Sequence, residues 1–251
     1  MLLKYINFFL KGISKIFFNS KKACYLINYF PTYDEDGFVT SHNADFKNDE
    51  KFIDAYNKGF NTKSSNGWHL QWRIYNACFF AKRALRYEGV FLELGTNKGM
   101  TALAIVNYVD FKNLNKEFYL VDTFQGLVSD KLTANENKKN DKLRYSSCYN
   151  EVIETFKDFK NIKIVKGIIP NILQELTFHN ISFLHIDLNS SISEIEAINL
   201  LWNKMSNNGV ILLDDYAYSG YSDTKKAWDQ FVRLKKTSVL TLPTGQGVIL
   251  L

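Results

Sequence analysis

The sequence predicts an α/β protein, a doubly wound sheet of seven strands that is parallel except for one antiparallel strand at the C-terminal end. Three observations predict it. Short apolar runs, each too short for a helix, alternate along residues 90–251 with stretches whose apolar residues recur at helical spacing. The first run is closed by glycine at both ends and opens directly into a helix. The last two runs are separated only by Pro243-Thr244-Gly245-Gln246, so two strands meet there without a helix between them. At 251 residues and 46% hydrophobic content the chain can bury a sizeable core as one α/β domain with an N-terminal helical extension.

The elements follow in order. Met1 to about Phe18 places Leu2, Leu3, Ile6, Phe9, Leu10, Ile13, Ile16 and Phe17 opposite Lys4, Lys11 and Lys15, an amphipathic basic helix that lysine interrupts too often to span a bilayer. No small-residue cleavage site follows, which disfavours a signal peptide. Two readings stand for residues 1–22: a foot on an anionic membrane surface, or a helix packed on its own domain or on a second copy. Tyr33 to Asn66 is polar, with acidic clusters, and reads as loops and short turns forming a cap. Residues 1–66 are thus expected as extension and cap, and 67–251 as the main domain. His69 to Tyr87 spaces Leu70, Ile74, Ala77, Cys78, Ala81 and Leu85 as a helix feeding the first strand, Val90 to Leu94. Met100 to Val109 is the next helix, and Phe118 to Asp122 the second strand.

Val128 to Ser147 is rich in lysine and asparagine with little periodicity, either a mobile lid or a solvated loop. Strands are expected at Ile162 to Val165, Ile181 to Asp187 and Val210 to Leu213. Ile192, Ile195, Ile198, Leu201, Trp202 and Met205 form one helical face. Ala227, Trp228, Phe231 and Leu234 form the inward side of a helix from Asp223 to Leu234. Thr237 to Leu242 and Gly247 to Leu251 are the closing strands. No internal repeat or domain break interrupts the pattern.

Charge excludes one function class. The formal net charge is +5, and the five lysines ahead of the first acid, Asp34, account for all of it, so the body of the chain is neutral. No nucleic-acid surface is expected. The three cysteines, Cys24, Cys78 and Cys148, are far apart and odd in number, so neither a disulfide framework nor a zinc site follows, and a reducing, cytoplasmic setting is the default.

Chemistry is expected at the carboxyl ends of the strands, where open α/β sheets bind ligands. Gly95 and Gly99 turn the first strand into its helix with the spacing G-x-x-x-G, which presents bare backbone N–H groups to a ligand. That spacing differs from the G-x-G-x-x-G of nicotinamide binders and favours S-adenosylmethionine, against the alternative of an ordinary strand–turn–helix corner. Asp122 ends the second strand 23 positions beyond Gly99, near the spacing of about 20 for an acid that binds ribose hydroxyls. Asp187, Asp214 and Asp215 close neighbouring strands. Clustered carboxylates repel one another, and a hard divalent cation such as Mg²⁺ relieves the repulsion. The alternative is that one of Asp214 and Asp215 caps the next helix while the other is solvated.

Phe91-Leu92-Glu93-Leu94-Gly95-Thr96-Asn97-Lys98-Gly99, Val121-Asp122-Thr123-Phe124-Gln125-Gly126-Leu127, Leu184-His185-Ile186-Asp187, Gly209-Val210-Ile211-Leu212-Leu213-Asp214-Asp215-Tyr216 and Leu242-Pro243-Thr244-Gly245-Gln246-Gly247 together resemble class I S-adenosylmethionine-dependent methyltransferases, which have a Rossmann-like sheet. Within that class they are most similar to the macrocin and mycinamicin sugar O-methyltransferases. The resemblance covers about Trp68 to Leu251. It implies an O-methyltransferase acting with Mg²⁺ on a hydroxyl of a sugar or glycan-like small molecule. It further implies that Glu93, Gly95, Thr96 and Gly99 shape the methionine side of the cofactor site, and that Asp122, with Thr123 and Phe124, serves the ribose. Gly167 and Ile168 would border the adenine, and Asp187, Asp214 and Asp215 would hold the metal, Asp187 also facing the cofactor.

One position departs from the pattern. The sugar O-methyltransferases carry a second Asp, proposed as general base, two residues beyond the first metal acid; here Asn189 stands there and cannot accept a proton at neutral pH. His185, two residues before Asp187, is the nearest ionisable alternative, against the reading of a hydrogen-bonded core histidine. Asn189 would equally suit a catalytically inactive S-adenosylmethionine-binding partner protein. The expectations for partners are a small-molecule or glycan acceptor, peripheral contact with the inner membrane face through residues 1–22, and a homo-oligomer.

Overall fold

The structure is a computed structural model. It describes residues 31–251, apart from residue 144 and the side chains of 139–143, so the leader helix and Cys24 lie outside the described residues. The elements are β1 (Tyr33–Glu35), β2 (Phe38–Thr40), α1 (Glu50–Phe60), α2 (Gln71–Ala84), β3 (Val90–Leu94), α3 (Met100–Tyr108), β4 (Phe118–Asp122), α4 (Ala134–Leu143), α5 (Tyr149–Phe156), β5 (Ile162–Lys166), β6 (Ile181–Ile186), α6 (Ser191–Leu201), β7 (Met205–Leu213), α7 (Ser222–Leu234), β8 (Leu240–Thr241) and β9 (Gly247–Leu250).

The expected sheet is present. Its seven strands run in the order β5-β4-β3-β6-β7-β9-β8. Neighbours from β5 to β7 are parallel, and β9 runs antiparallel to both β7 and β8. Alternation along each strand divides the core in two. Phe91, Phe118, Leu120, Phe183 and Leu212 pack with α2, α3 and α5 on one face. Leu92, Leu94, Val121, Leu184, Ile186 and Leu213 pack with α6 and α7 on the other. The order turns back between β3, whose chain continues to β4 on one side, and β6 on the other. That switch point puts the tips of β3, β4, β6 and β7 around one crevice.

Four details of the local pattern differ from expectation. The polar stretch before α2 holds a hairpin and an 11-residue helix, α1, capped by Asp49, whose side chain accepts the N–H groups of Lys51 and Phe52. Phe52, Ala55, Tyr56 and Gly59 of α1 are buried. A Cβ at Gly59 would lie 2.5 Å from the carbonyl oxygen of Met100, so glycine lets α1 sit directly on α3. The stretch expected as lid or solvated loop contains α4. On α6 the buried side carries Ser193, Glu194, Ala197, Ile198 and Leu201, while Ile192 is exposed. On α7, Trp228, Phe231 and Val232 are buried, whereas Leu234, the last residue of the helix, is 75% exposed. No helix among the described residues is long and apolar enough to cross a membrane.

Candidate functional site

A cavity of about 360 Å³ opens at the strand tips, lined from β3, β4, β6, β7 and the segment before α2. Its floor is the bend after Leu94. Gly95 has φ +88°, and a Cβ there would stand 1.9 Å from the carbonyl oxygen of Asp187, so only glycine lets the exit of β6 pass so close. The Asp187 N–H donates to the Leu94 carbonyl at 2.8 Å, joining the two exits. Gly99, at φ +85°, begins α3 without a side-chain cap, and a Cβ on it would collide with the Phe156 ring at 2.6 Å. Met100 and Thr101 of the first turn of α3 line the cavity, so the uncapped helix start is where a polar ligand would find backbone donors.

Asp122 closes β4 and stitches the floor together. Its Oδ2 accepts the Asn97 N–H and its Oδ1 the Phe124 N–H, both at 2.7 Å. A carboxylate has about four acceptor positions, so a diol can still share it. Thr123 donates through Oγ1 to the Gly126 carbonyl at 2.7 Å, fixing the loop that turns buried Phe124 toward the cavity. Glu93 and Thr96 also line the cavity, and Glu93 Oε2 and Thr96 Oγ1 are buried without a hydrogen-bond partner. Unsatisfied buried polar atoms facing a cavity fit a polar occupant such as the methionine end of the cofactor. Gly167 lines the cavity too, but Ile168 does not: it is 47% exposed and the next residue, Ile169, faces inward instead.

Above the floor stand the acids. Asp187, leaving β6, and Asp214 and Asp215, leaving β7, offer carboxylate oxygens that all lie within 4.8 Å of one another. Burial, then repulsion from Asp214 and Asp215, raises the Asp187 carboxyl well above its usual range. This donor set, three carboxylates within reach of one ion at the wall of the cavity, fits a hard divalent cation. Asp214 is buried and bonded to Arg73, and the N-cap position of α7 is Tyr221, which makes no side-chain capping bond of its own.

The acids are not without a cation of their own. Arg73 of α2 is buried among them. Its Nε donates to Asp36 at 2.9 Å, and its Nη1 to Asp214 Oδ2 at 2.6 Å and to Asp215 at 3.4 Å. Its Nη2 donates to the Thr244 carbonyl at 3.1 Å, and its guanidinium lies 4.9 Å from the Tyr218 ring centre. Burial raises the Asp214 carboxyl, but Arg73 and His185 outweigh it and hold the group far below its usual value. Arg73 sits on the stripe of α2 that also carries Ile74, Ala77 and Ala81. A charge on a core-facing stripe was the one sequence signal that could have marked it.

His185 does not reach the cavity. It is 1% exposed, its Nδ1 is 2.9 Å from Glu93 Oε1 and its Nε2 is 3.6 Å from Asp214 Oδ1. Burial opposes the charged imidazole, but the two flanking carboxylates lift it to about 10. It is a buried, hydrogen-bonded strand histidine walled off from any acceptor. Asn189 does line the cavity. Its Nδ2 donates to Asp187 Oδ1 at 3.0 Å, and its Oδ1 accepts the Tyr221 hydroxyl. Residues that the motif reading passed over complete the walls: Asp36, Trp68, Tyr145, Tyr218 and Tyr221.

The profile of the macrocin-O-methyltransferase (TylF) family matches residues 76–241. Among solved structures, the O-methyltransferase NovP is similar at 19% identity and a TM-score of 0.60, over 71% of this chain and 78% of that one. CalS11, a calicheamicin methyltransferase, is similar at 13% identity and 0.56, over 87% and 96%. The S-adenosylhomocysteine-bound methyltransferase PaMTH1 of Podospora anserina is similar at 16% identity and 0.52, over 80% and 87%. No curated protein sequence matches significantly.

Proposed function

Since this chain belongs to the macrocin-O-methyltransferase (TylF) family and is thereby an S-adenosylmethionine-dependent methyltransferase, we propose that its acceptor is a sugar hydroxyl on a small molecule or glycan, methylated with the help of Mg²⁺. One observation carries the reading. The glycine bend that suits the cofactor and the three strand-tip carboxylates that suit a cation border the same cavity.

When bound, the cofactor supplies an electrophilic methyl group, and a cation supplies a lowered pKa at the acceptor hydroxyl. The chain's own part is positioning. Gly95 and Gly99 keep the floor open, Glu93 and Thr96 would hold the methionine end, and Asp122 would hold the ribose. Asp187, Asp214 and Asp215 would hold the cation. Asn189 replaces a base by an amide that donates to Asp187 and accepts from Tyr221, so it orients the Asp187 carboxylate and does not take up the proton. Orientation of a reactive donor against a fixed acceptor supplies most of the rate.

Asp187→Ala should abolish cation-dependent turnover while S-adenosylhomocysteine still binds, as measured by calorimetry beside a methyl-transfer assay on sugar-bearing acceptors. Turnover indifferent both to this change and to a chelator removes the cation from the mechanism. Asn189 favours a second reading, a cofactor-binding partner without transferase activity, which predicts tight cofactor binding and no methyl transfer to any glycan acceptor.

A further inference from the structure

The loop Pro243-Thr244-Gly245-Gln246-Gly247 is a motif for which neither the cofactor nor the acid cluster accounts. The antiparallel register of β7 and β9 pairs Leu213 with Gly247, which sets the next residues outward, Asp214 and Gln246, face to face. Gln246 is completely buried. Its Nε2 donates to Asp214 Oδ1 at 2.9 Å, the oxygen opposite the one held by Arg73. Its Oε1 accepts from Asn76 Nδ2 at 3.0 Å and from Thr244 Oγ1 at 2.9 Å, which fixes the amide with its N–H toward the aspartate. Asn76 lies one turn beyond Arg73 on α2, and Arg73 itself holds the Thr244 carbonyl. The ring Arg73–Asp214–Gln246–Asn76–Thr244 is therefore closed.

Glycine on either side permits it. Gly245 has φ +84°, and a Cβ at Gly247 would meet the Val239 side chain at 2.6 Å and the Tyr216 ring at 2.8 Å.

The geometry points to Gln246, seconded by Asn76 and Arg73, as a positioning residue that holds the Asp214 carboxylate in the orientation a divalent cation requires. The inference rests on the cation reading above. Each Asp214 oxygen takes one hydrogen bond from the protein and keeps acceptor capacity for the space shared with Asp187 and Asp215. Loss of the Gln246 donor leaves Asp214 Oδ1 with only His185 Nε2, 3.6 Å away, and frees the carboxylate to turn toward Arg73 and out of that space. The antiparallel strand thus serves the site by placing a donor opposite an acid.

The test uses the full chain with Gln246→Met, which keeps length and removes both polar ends, and Asn76→Ala, which leaves Gln246 in place but unfixed. Mn²⁺ is the cation probe, followed by electron paramagnetic resonance, and S-adenosylhomocysteine binding in chelator is followed by calorimetry. The expected result is a Mn²⁺ dissociation constant at least tenfold higher in Gln246→Met and severalfold higher in Asn76→Ala, with S-adenosylhomocysteine affinity within twofold of the parent. An unchanged Mn²⁺ constant in Gln246→Met overturns the assignment. So does a parallel fall of both affinities in the two variants, which makes the ring a scaffold only. A parent protein that binds S-adenosylhomocysteine but no Mn²⁺ defeats the cation reading itself, an outcome distinct from either.

Discussion

Arg73 and Glu194 are two buried ionisable groups whose surroundings act in opposite directions. Arg73 spends its donors on Asp36, Asp214, Asp215 and the Thr244 carbonyl. Its removal strands buried carboxylates without a partner, a change worth about 3–5 kcal/mol. Arg73→Met should lose that much in urea unfolding, and Arg73→Lys should recover little, because one ammonium cannot reproduce a planar fork over four acceptors. A loss under about 1 kcal/mol in Arg73→Met would show that the acids are stabilised by other means.

Glu194 of α6 is the opposite case. Burial lifts its carboxyl to about 8, against the bond it accepts from Trp228 Nε1 at 2.7 Å. A carboxyl whose pKa is higher folded than unfolded favours the folded state only while protonated. Its contribution is complete below the ordinary glutamate range and is lost as pH rises to about 8. The melting temperature should therefore fall between about pH 5 and pH 8, and Glu194→Gln should flatten that slope. An equal slope in the variant excludes Glu194 as its source.

Among the elements, α4 is the one whose structure most changes the functional picture. Its stretch is tethered at its N-terminal end rather than free. Glu136, 4% exposed, accepts the Ser191 N–H at the start of α6 and the Thr133 N–H, each at 2.8 Å. The Thr133 hydroxyl donates to Asp223 of α7, and the Ser190 hydroxyl to the Lys131 carbonyl. A carboxylate on a helix N-terminus contributes about 1 kcal/mol. Glu136→Ala should speed tryptic cleavage between residues 128 and 147 several-fold while shifting the global melting temperature only slightly. Unchanged cleavage would mean that the other contacts suffice. Both α1 and α4 escaped the sequence reading for one reason: lysine, asparagine and acids dominate their sequences. In α1, Phe52, Ala55, Tyr56 and Phe60 were spaced well enough to be seen. The α4 sequence carries no apolar stripe, and the described contacts at its N-terminal end are polar.

For the whole molecule, charge remains the feature to test. The five lysines ahead of Asp34 carry the entire +5 excess, so a chain starting at residue 23 is formally neutral. If residues 1–22 are a membrane foot, the shortened chain should sediment with anionic vesicles far less than the full one, and the difference should shrink at high salt. Equal sedimentation leaves the leader as a packing element of its own domain or of a second copy.

What the sequence alone determined were the local features: seven strands in their order along the chain, the glycine bend, and acids at the strand tips. Each rests on a property that a few neighbouring residues possess by themselves, an apolar run of strand length or a backbone angle that only glycine adopts comfortably. What only the tertiary structure decided were the partners. Arg73 meets Asp214 across 141 positions of sequence and Gln246 meets it across 32. His185 is walled off between Glu93 and Asp214, and Asp122 joins the loop after β3 to the loop after β4. Such pairs depend on which strand lies beside which and in what register, and on burial that turns a weak surface attraction into a strong one. No local pattern encodes that.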